Sequence, residues 1–196
     1  LALYRNIHLK FKHSVDRQPL WFDWNMLEKV YFNFLSNAFK NVPDGGSVLV
    51  EMDIKPLSEL SIFVPAKLNR YKNDEIRYLT VSIQDNGVGI APDELEKIFR
   101  PFYQVAQNEH SKSGTGIGLS LSKAIIEMHH GIVWAENAIG SGAIFRFVLP
   151  IDKSCFAPEA IVESTDNASV SFNVELPDTA FEPENSGKKQ STILVV

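Results

Sequence analysis

Asp85-Asn86-Gly87-Val88-Gly89-Ile90 follows an alternating run in which Leu79, Val81 and Ile83 share one face, the pattern of a strand with one buried side. Two glycines one residue apart, directly after an acid on the last strand residue, let the backbone turn sharply and approach a flat ligand edge. Asp-Asn-Gly is also an ordinary turn sequence. The stretch therefore takes its meaning from what lies on either side of it.

Upstream, Asp23 opens the clearest helix. An Asp cap with Phe22 before it and Leu27 at the fourth helical position makes a hydrophobic staple, and Pro43-Asp44-Gly45-Gly46 stops the run, so a helix is predicted over 24–41. At about 100° per residue, Leu27, Val30, Tyr31, Phe34, Leu35 and Ala38 form one apolar arc that can face a sheet. Asn33, Asn37 and Lys40 fall on a separate, narrow stripe. Asparagine is a poor helix former because its side chain competes for backbone hydrogen bonds. The stripe is either a solvated polar face or a ligand-facing row, with amide oxygens for a hard cation and an ammonium for phosphate.

Val48, Val50, Met52 and Ile54 alternate as a strand, and a long connection from Lys55 to Arg77, carrying Pro56, Pro65 and the apolar Ile62-Phe63-Val64, reads as an extended hairpin or ordered loop. After the glycine stretch, Pro92 and Asp93 start a short predicted helix with Leu95 and Ile98, leading to Phe99-Arg100-Pro101-Phe102. Tyr103 to Ser113 is polar, with few anchors for a core. Gly114-Thr115-Gly116-Ile117-Gly118 ends it, and Ile117, Leu121, Ala124, Ile125 and Met128 at helical spacing predict a helix closed by Gly131. A glycine-rich approach to a helix N-terminus is an anion site, because free amides and the helix dipole point at it. Neither the dinucleotide G-x-G-x-x-G spacing nor a G-x-x-x-x-G-K-[ST] loop is present, which disfavours two common nucleotide folds. Strands at 132–136 and 143–149 follow, joined through Gly140 and Gly142, with His129 and His130 placed to complement the helix dipole. Residues 3–15 alternate loosely and read as an edge strand carrying His8 and His13 toward solvent.

A chain of 196 residues, 44% hydrophobic, buries one good core and is too short for two large domains. Residues 1–151 hold 16 Lys+Arg against 16 Asp+Glu, whereas 152–196 hold 3 against 8. The folded part is neutral and the tail acidic, which gives little support to nucleic-acid binding. The single cysteine, Cys155, excludes an internal disulfide and a thiol-rich zinc cluster. No stretch reaches the roughly 18 apolar residues of a membrane helix. The chain begins at Leu1 without Met and stops inside an apolar run, and so reads as an excerpt. Residues 152–191, with Pro158, Pro177 and Pro183, read as an acidic linker. Thr192-Ile193-Leu194-Val195-Val196 reads as the opening of a further strand.

Taken in order over about residues 20–150, these parts resemble the ATP-binding catalytic domain of sensor histidine kinases, within the superfamily that includes gyrase, mismatch-repair ATPases and a chaperone class. Asn33-Phe34-Leu35-Ser36-Asn37-Ala38-Phe39-Lys40 resembles the asparagine box, and Asp85 to Ile90 the first glycine box. Ile98-Phe99-Arg100-Pro101-Phe102 resembles the phenylalanine box, and Gly114-Thr115-Gly116-Ile117-Gly118-Leu119 the second glycine box. The resemblance implies an α+β fold, a two-layer α/β sandwich of Bergerat type with a mixed sheet covered on one face by three helices, over residues 1–151.

It also implies roles. Asn37 would ligate Mg²⁺, with Asn33 close to the triphosphate and Lys40 contacting phosphate. Asp85 would accept from the adenine amino group, with Gly87, Gly89 and Ile90 shaping the approach of the base. Tyr103 and the second glycine box, Gly114, Thr115, Gly116, Ile117, Gly118 and Leu119, would complete the ATP site. Residues 103–115 would form a lid in which Lys112 reaches the γ-phosphate. Two positions depart from the pattern: Asn41 stands where an aromatic residue or His usually contacts adenine, and Ser113 replaces a common leading glycine.

Hydrolysing members of the superfamily place a water-activating Glu four residues before the metal-binding Asn, and here that residue is Asn33. An amide is no general base at neutral pH, so phosphoryl transfer is expected, driven by positioning and charge neutralisation. None of the five histidines lies in a His-Glu/Asp-x-Arg/Lys-Thr-Pro context. The acceptor is expected upstream, on the dimerisation domain of a homodimeric parent, in a cytoplasmic region of a protein anchored in the bacterial inner membrane. This fragment itself is expected to touch neither membrane nor nucleic acid. Residues 192–196 are similar to the first strand of a receiver domain, which would make the parent a hybrid sensor. The alternatives are an ATPase or serine kinase of the same fold, or a nucleotide-binding module without catalysis.

Overall fold

A computed structural model describes residues 5–14, 20–60, 76–105 and 115–161. Five strands form one mixed sheet: β1 (His8–His13), β2 (Ser47–Pro56), β3 (Arg77–Asp85), β4 (Ile132–Asn137) and β5 (Ala143–Pro150). Their spatial order is β1-β2-β3-β5-β4. β1 runs parallel to β2 at one edge, and the remaining neighbours are antiparallel. β2 and β3 pair from Val48 opposite Asp85 to Pro56 opposite Arg77, as the arms of a long hairpin. The Ile62-Phe63-Val64 knot expected at its tip lies outside the described residues.

α1 (Trp24–Asn41) occupies the predicted range. Asp23 caps it by accepting from Met26 N at 3.1 Å, and Leu27, Val30, Phe34 and Ala38 are buried. They pack against Val48, Val50, Val81, Ile83, Phe145 and Phe147 of the sheet, together with Ile125 and Ile126 of α2 (Gly118–Met128). Both helices therefore cover one sheet face. The other face carries Glu51, Asp53, Thr80, Arg146 and Glu136 and is closed at one end by a smaller cluster of Ile76, Tyr78, Val148 and Cys155. This alternation is what an antiparallel sheet with one solvated side requires.

The structure corrects three expectations. The segment expected as a third helix near Pro92 is a series of turns ending in a single 3-10 turn, Lys97–Phe99. So short a run, opened by proline, gains too few intrahelical bonds to propagate. The apolar spacing of α2 marked a helix but not its buried face. Ser122, Ile125, Ile126 and His129 are buried, while Ile117, Leu121, Ala124 and Met128 are exposed. The helix end is formed by His130, which takes the left-handed conformation (φ +60°), while Gly131 N donates to Ile126 O and His130 N to Glu127 O. That pairing is a Schellman motif with His in the place glycine usually fills. Gly131 has a different duty: a Cβ there would lie 2.4 Å from Val148 O. His129 is buried and bonded at both ring nitrogens, Nδ1 to Ile125 O at 2.8 Å and Nε2 accepting from Asp23 N at 3.0 Å. Its job is to tie the end of α2 to the start of α1, not to offer charge to the helix dipole.

The first ten residues of the expected linker, 152–161, form two single turns, Lys153–Cys155 and Pro158–Ala160. Cys155 and Phe156 pack against the smaller cluster, and Lys153 Nζ stands 4.7 Å over the Trp21 ring. Residues 162–196 lie outside the described residues, and with them the rest of the linker and 192–196. Among the described residues, no helix is long and apolar enough to cross a membrane.

Candidate nucleotide-binding site

β3 delivers Asp85 to the end of the sheet in a buried position. Its Oδ1 accepts from Gly87 N at 2.8 Å and from Ala143 N at 3.3 Å, and Oδ2 takes neither bond. Burial pushes the carboxyl above its ordinary range, while the two amides pull the other way. Asn86 orients the turn from the opposite side, its Oδ1 accepting from Ser47 N at 2.8 Å. The glycines are dictated by proximity: a Cβ on Gly87 would lie 2.3 Å from Asn41 O, and one on Gly142 1.9 Å from Asp85 O. Gly89 takes φ +76°.

Asn137, at the end of β4, holds this turn and was not found from sequence. Its Nδ2 donates to Ile90 O at 2.7 Å and its Oδ1 accepts from Ile90 N at 2.8 Å. An Asn before a glycine-rich turn reads as a turn residue, so nothing local pointed to this role.

The asparagine stripe of α1 reaches both glycine turns. At one end Asn33 Nδ2 donates to Gly118 O at 3.1 Å and to Ser122 Oγ at 3.2 Å. At the other, Asn41 O meets Gly87. Asn37 lies on the same stripe midway, over about 12 Å of helix axis. Asn41 turns its own side chain back, Nδ2 donating to Asn37 O at 2.8 Å. Lys40, Asn41, Asn86 and Gly87 line a cleft of about 510 Å³ together with Arg5.

The second glycine stretch docks on the phenylalanine segment. Phe102 N donates to Gly116 O at 2.9 Å, and a Cβ on Gly116 would lie 2.8 Å from Phe102 C. Tyr103 is anchored by its hydroxyl, which donates to Glu94 Oε1 at 3.0 Å. Thr115 and Ile117 are exposed, and Leu119 packs on the core. Among the described residues, no side chain caps the first amides of α2, and uncapped amides at a helix start suit an anion. Lys112 and Gly114 lie outside the described residues.

Residues 22–153 match the family model described as histidine kinase-, DNA gyrase B-, and HSP90-like ATPase. The chain belongs to this family. Curated relatives place it with the sensor kinases. It is 31% identical over 146 residues to the sensor histidine kinase WalK of Bacillus subtilis, covering 73% of this chain and 21% of the relative. It is 32% identical to the sensor kinase CckA of Brucella abortus, covering 74% and 15%. Among solved structures, a mycobacterial sensor histidine kinase, MprB, superposes with a TM-score of 0.56 at 24% identity, covering 76% of this chain and 86% of that one. Full-length ShkA, crystallised with AMPPNP, gives 0.55 at 25% identity, covering 76% and 27%. The domain is thus an ATP-binding catalytic domain of the sensor histidine kinase type, with the two-layer α/β fold expected. The chain spans about a fifth of the length of WalK and less of CckA.

Proposed function

We propose that this kinase domain binds Mg-ATP and donates the γ-phosphoryl group to a histidine on a separate dimerisation domain of a longer, homodimeric protein. The observation that carries the reading is the asparagine stripe of α1, which abuts the Gly87 turn at one end and the Gly118 turn at the other. A nucleotide laid along it would place adenine by Asp85 and phosphates by the uncapped start of α2. Asp85 Oδ2 would accept from the adenine amino group. Among the described residues, no group of three or more His, Cys, Asp or Glu could hold a metal. The donor set fits Mg²⁺ held by one amide oxygen, from Asn37, and by the ligand's phosphates. The metal would neutralise phosphate charge, with Lys40 and Lys112 adding theirs. In the transfer, the bond from γ-phosphorus to its bridging oxygen breaks, a bond to an acceptor imidazole nitrogen forms, ADP leaves and the ring proton is released.

Asn33 favours transfer over hydrolysis. Its amide is engaged with Gly118 O and Ser122 Oγ and has no base to offer a water. For the partner, Ile117, Leu121, Ala124 and Met128 form an exposed apolar stripe on α2, suited to an apolar helix of the dimerisation domain. We place the domain on the cytoplasmic side of a protein anchored in the bacterial inner membrane. A receiver domain, opening at residues 192–196 or on a separate protein, would take the phosphoryl group onward. ThkA, a structural neighbour at 22% identity, is solved with the response regulator TrrA.

Calorimetric titration with ATP and Mg²⁺ tests the binding, and Asp85→Ala should abolish it. Incubation with γ-labelled ATP should leave the 196-residue chain unlabelled and label the added dimerisation domain. Stable label on the chain's own histidines, or steady phosphate release without an acceptor, would overturn the assignment.

A further inference from the structure

We infer that Arg5, on the segment leading into β1, is a positioning residue of the nucleotide pocket, holding the last turn of α1, whose Asn41 O abuts the Gly87 turn. The inference rests on the ATP reading proposed above, whose adenine end lies at the Gly87 turn. A helix ends in carbonyls without intrahelical partners and in partial negative charge. At the end of α1 two such oxygens are taken by one guanidinium, Nη1 donating to Phe39 O at 2.7 Å and Nη2 to Val42 O at 2.6 Å. Nε donates to Asp44 Oδ1 at 2.6 Å. The Arg5 main chain joins in, its carbonyl accepting from Gly45 N at 2.9 Å. Asn6 then turns the chain at φ +52°, and His8 N donates to Gly46 O at 2.8 Å as β1 begins.

Phe39 and Val42 bracket Lys40 and Asn41. Asn41 O is also the atom that fills the Cβ position of Gly87, so the last turn of α1 and the glycine turn touch there. A shift of either wall changes the width of the cleft that Arg5, Lys40, Asn41 and Gly87 line. The side chain of Asn41 is folded back on its own helix, and the clamp across Phe39 O and Val42 O fixes the main chain on either side of Lys40 and Asn41. Lysine offers one point charge in place of the planar fork and cannot bridge both carbonyls in the same way.

The test is calorimetric titration of the 196-residue chain with Mg-ATP, for wild type, Arg5→Ala and Arg5→Lys, each alone and in a Lys40→Ala background, with thermal unfolding in parallel. At a temperature where all variants are folded, Arg5→Ala should raise Kd five- to twentyfold and Arg5→Lys should recover only part. In the Lys40→Ala background the loss should shrink, because the positioned group is gone. A purely structural role would lower Tm and leave the Kd of the folded protein unchanged, and that result overturns the inference. So does an equal loss in both backgrounds. If Arg5→Ala does not fold, Arg5→Lys carries the same comparison. Wild-type chain that fails to bind Mg-ATP would instead overturn the ATP reading, and this inference with it.

Discussion

The side chain of Asn137 is bonded to both main-chain groups of Ile90, at 2.7 Å and 2.8 Å, as a strand neighbour would be. The first glycine turn is thereby held by a residue 47 positions away in the chain. Asn137→Ala should cost about 1–2 kcal/mol by chemical denaturation and weaken nucleotide binding. Asn137→Asp, which keeps the acceptor and loses the donor, should fall between.

Asp85 is expected to give two opposed pH dependences. Burial holds its folded pKa above the ordinary value, so the folded chain keeps the proton to higher pH than the unfolded chain. The stability contributed by this group is complete below the ordinary carboxylate range and is lost as pH rises through the raised value. Urea unfolding of Asp85→Asn should therefore show a flatter acid-side profile, with stability at neutral pH equal to or above wild type. Nucleotide affinity should move the other way in wild type, falling on acidification before an exposed carboxylate would titrate.

Phe34 sits at the centre of the main core, fully buried, its ring centroid 5.3 Å from that of Phe145 and 6.1 Å from that of Phe147. Phe34→Ala should destabilise by about 3–5 kcal/mol. Thermal or urea unfolding measures it directly.

Gly142 takes φ +99° and leaves no room for a Cβ beside Asp85 O. Gly142→Ala should cost about 3 kcal/mol or more, since strain and overlap add. It should also displace Asp85 and lower nucleotide affinity in whatever fraction still folds. Gly140→Ala, in open space at the same φ, is the control that isolates the overlap.

The exposed stripe on α2 separates stability from partner binding. Leu121→Gln with Met128→Gln should shift stability by no more than about 0.5 kcal/mol per site and leave Mg-ATP affinity unchanged. Phosphoryl transfer to the dimerisation domain should fall severalfold, read as labelled acceptor per minute.

What was legible in the sequence was local. α1 announced its start, its end and its buried arc because cap, staple, period and stop all lie within one segment. The strands did so by alternation. The sequence announced α2 without giving its buried face, because Ile117, Leu121, Ala124 and Met128 satisfy the helical period as well as the buried set does. Periodicity cannot tell a core face from a docking face. Arg5 and Asn137 escaped notice, and His129 was given another role, for a different reason: each acts on main-chain atoms more than 30 positions away, and a backbone partner leaves no mark in residue type. Asn33 and Asp85 stand out in the sequence, but the elements they touch, the start of α2 and the Ala143 amide, emerge only from the folded chain.

α2 is fastened unevenly. Its far end is locked by the His129 link to Asp23 and by Gly131 wedged beneath Val148 O, while the end facing the glycine stretch rests on the Asn33 amide. Eleven residues make an arm of about 16 Å. A ligand contact at Gly118 would therefore act at the end of α2 opposite its fixed corner, on the same element that carries the apolar stripe.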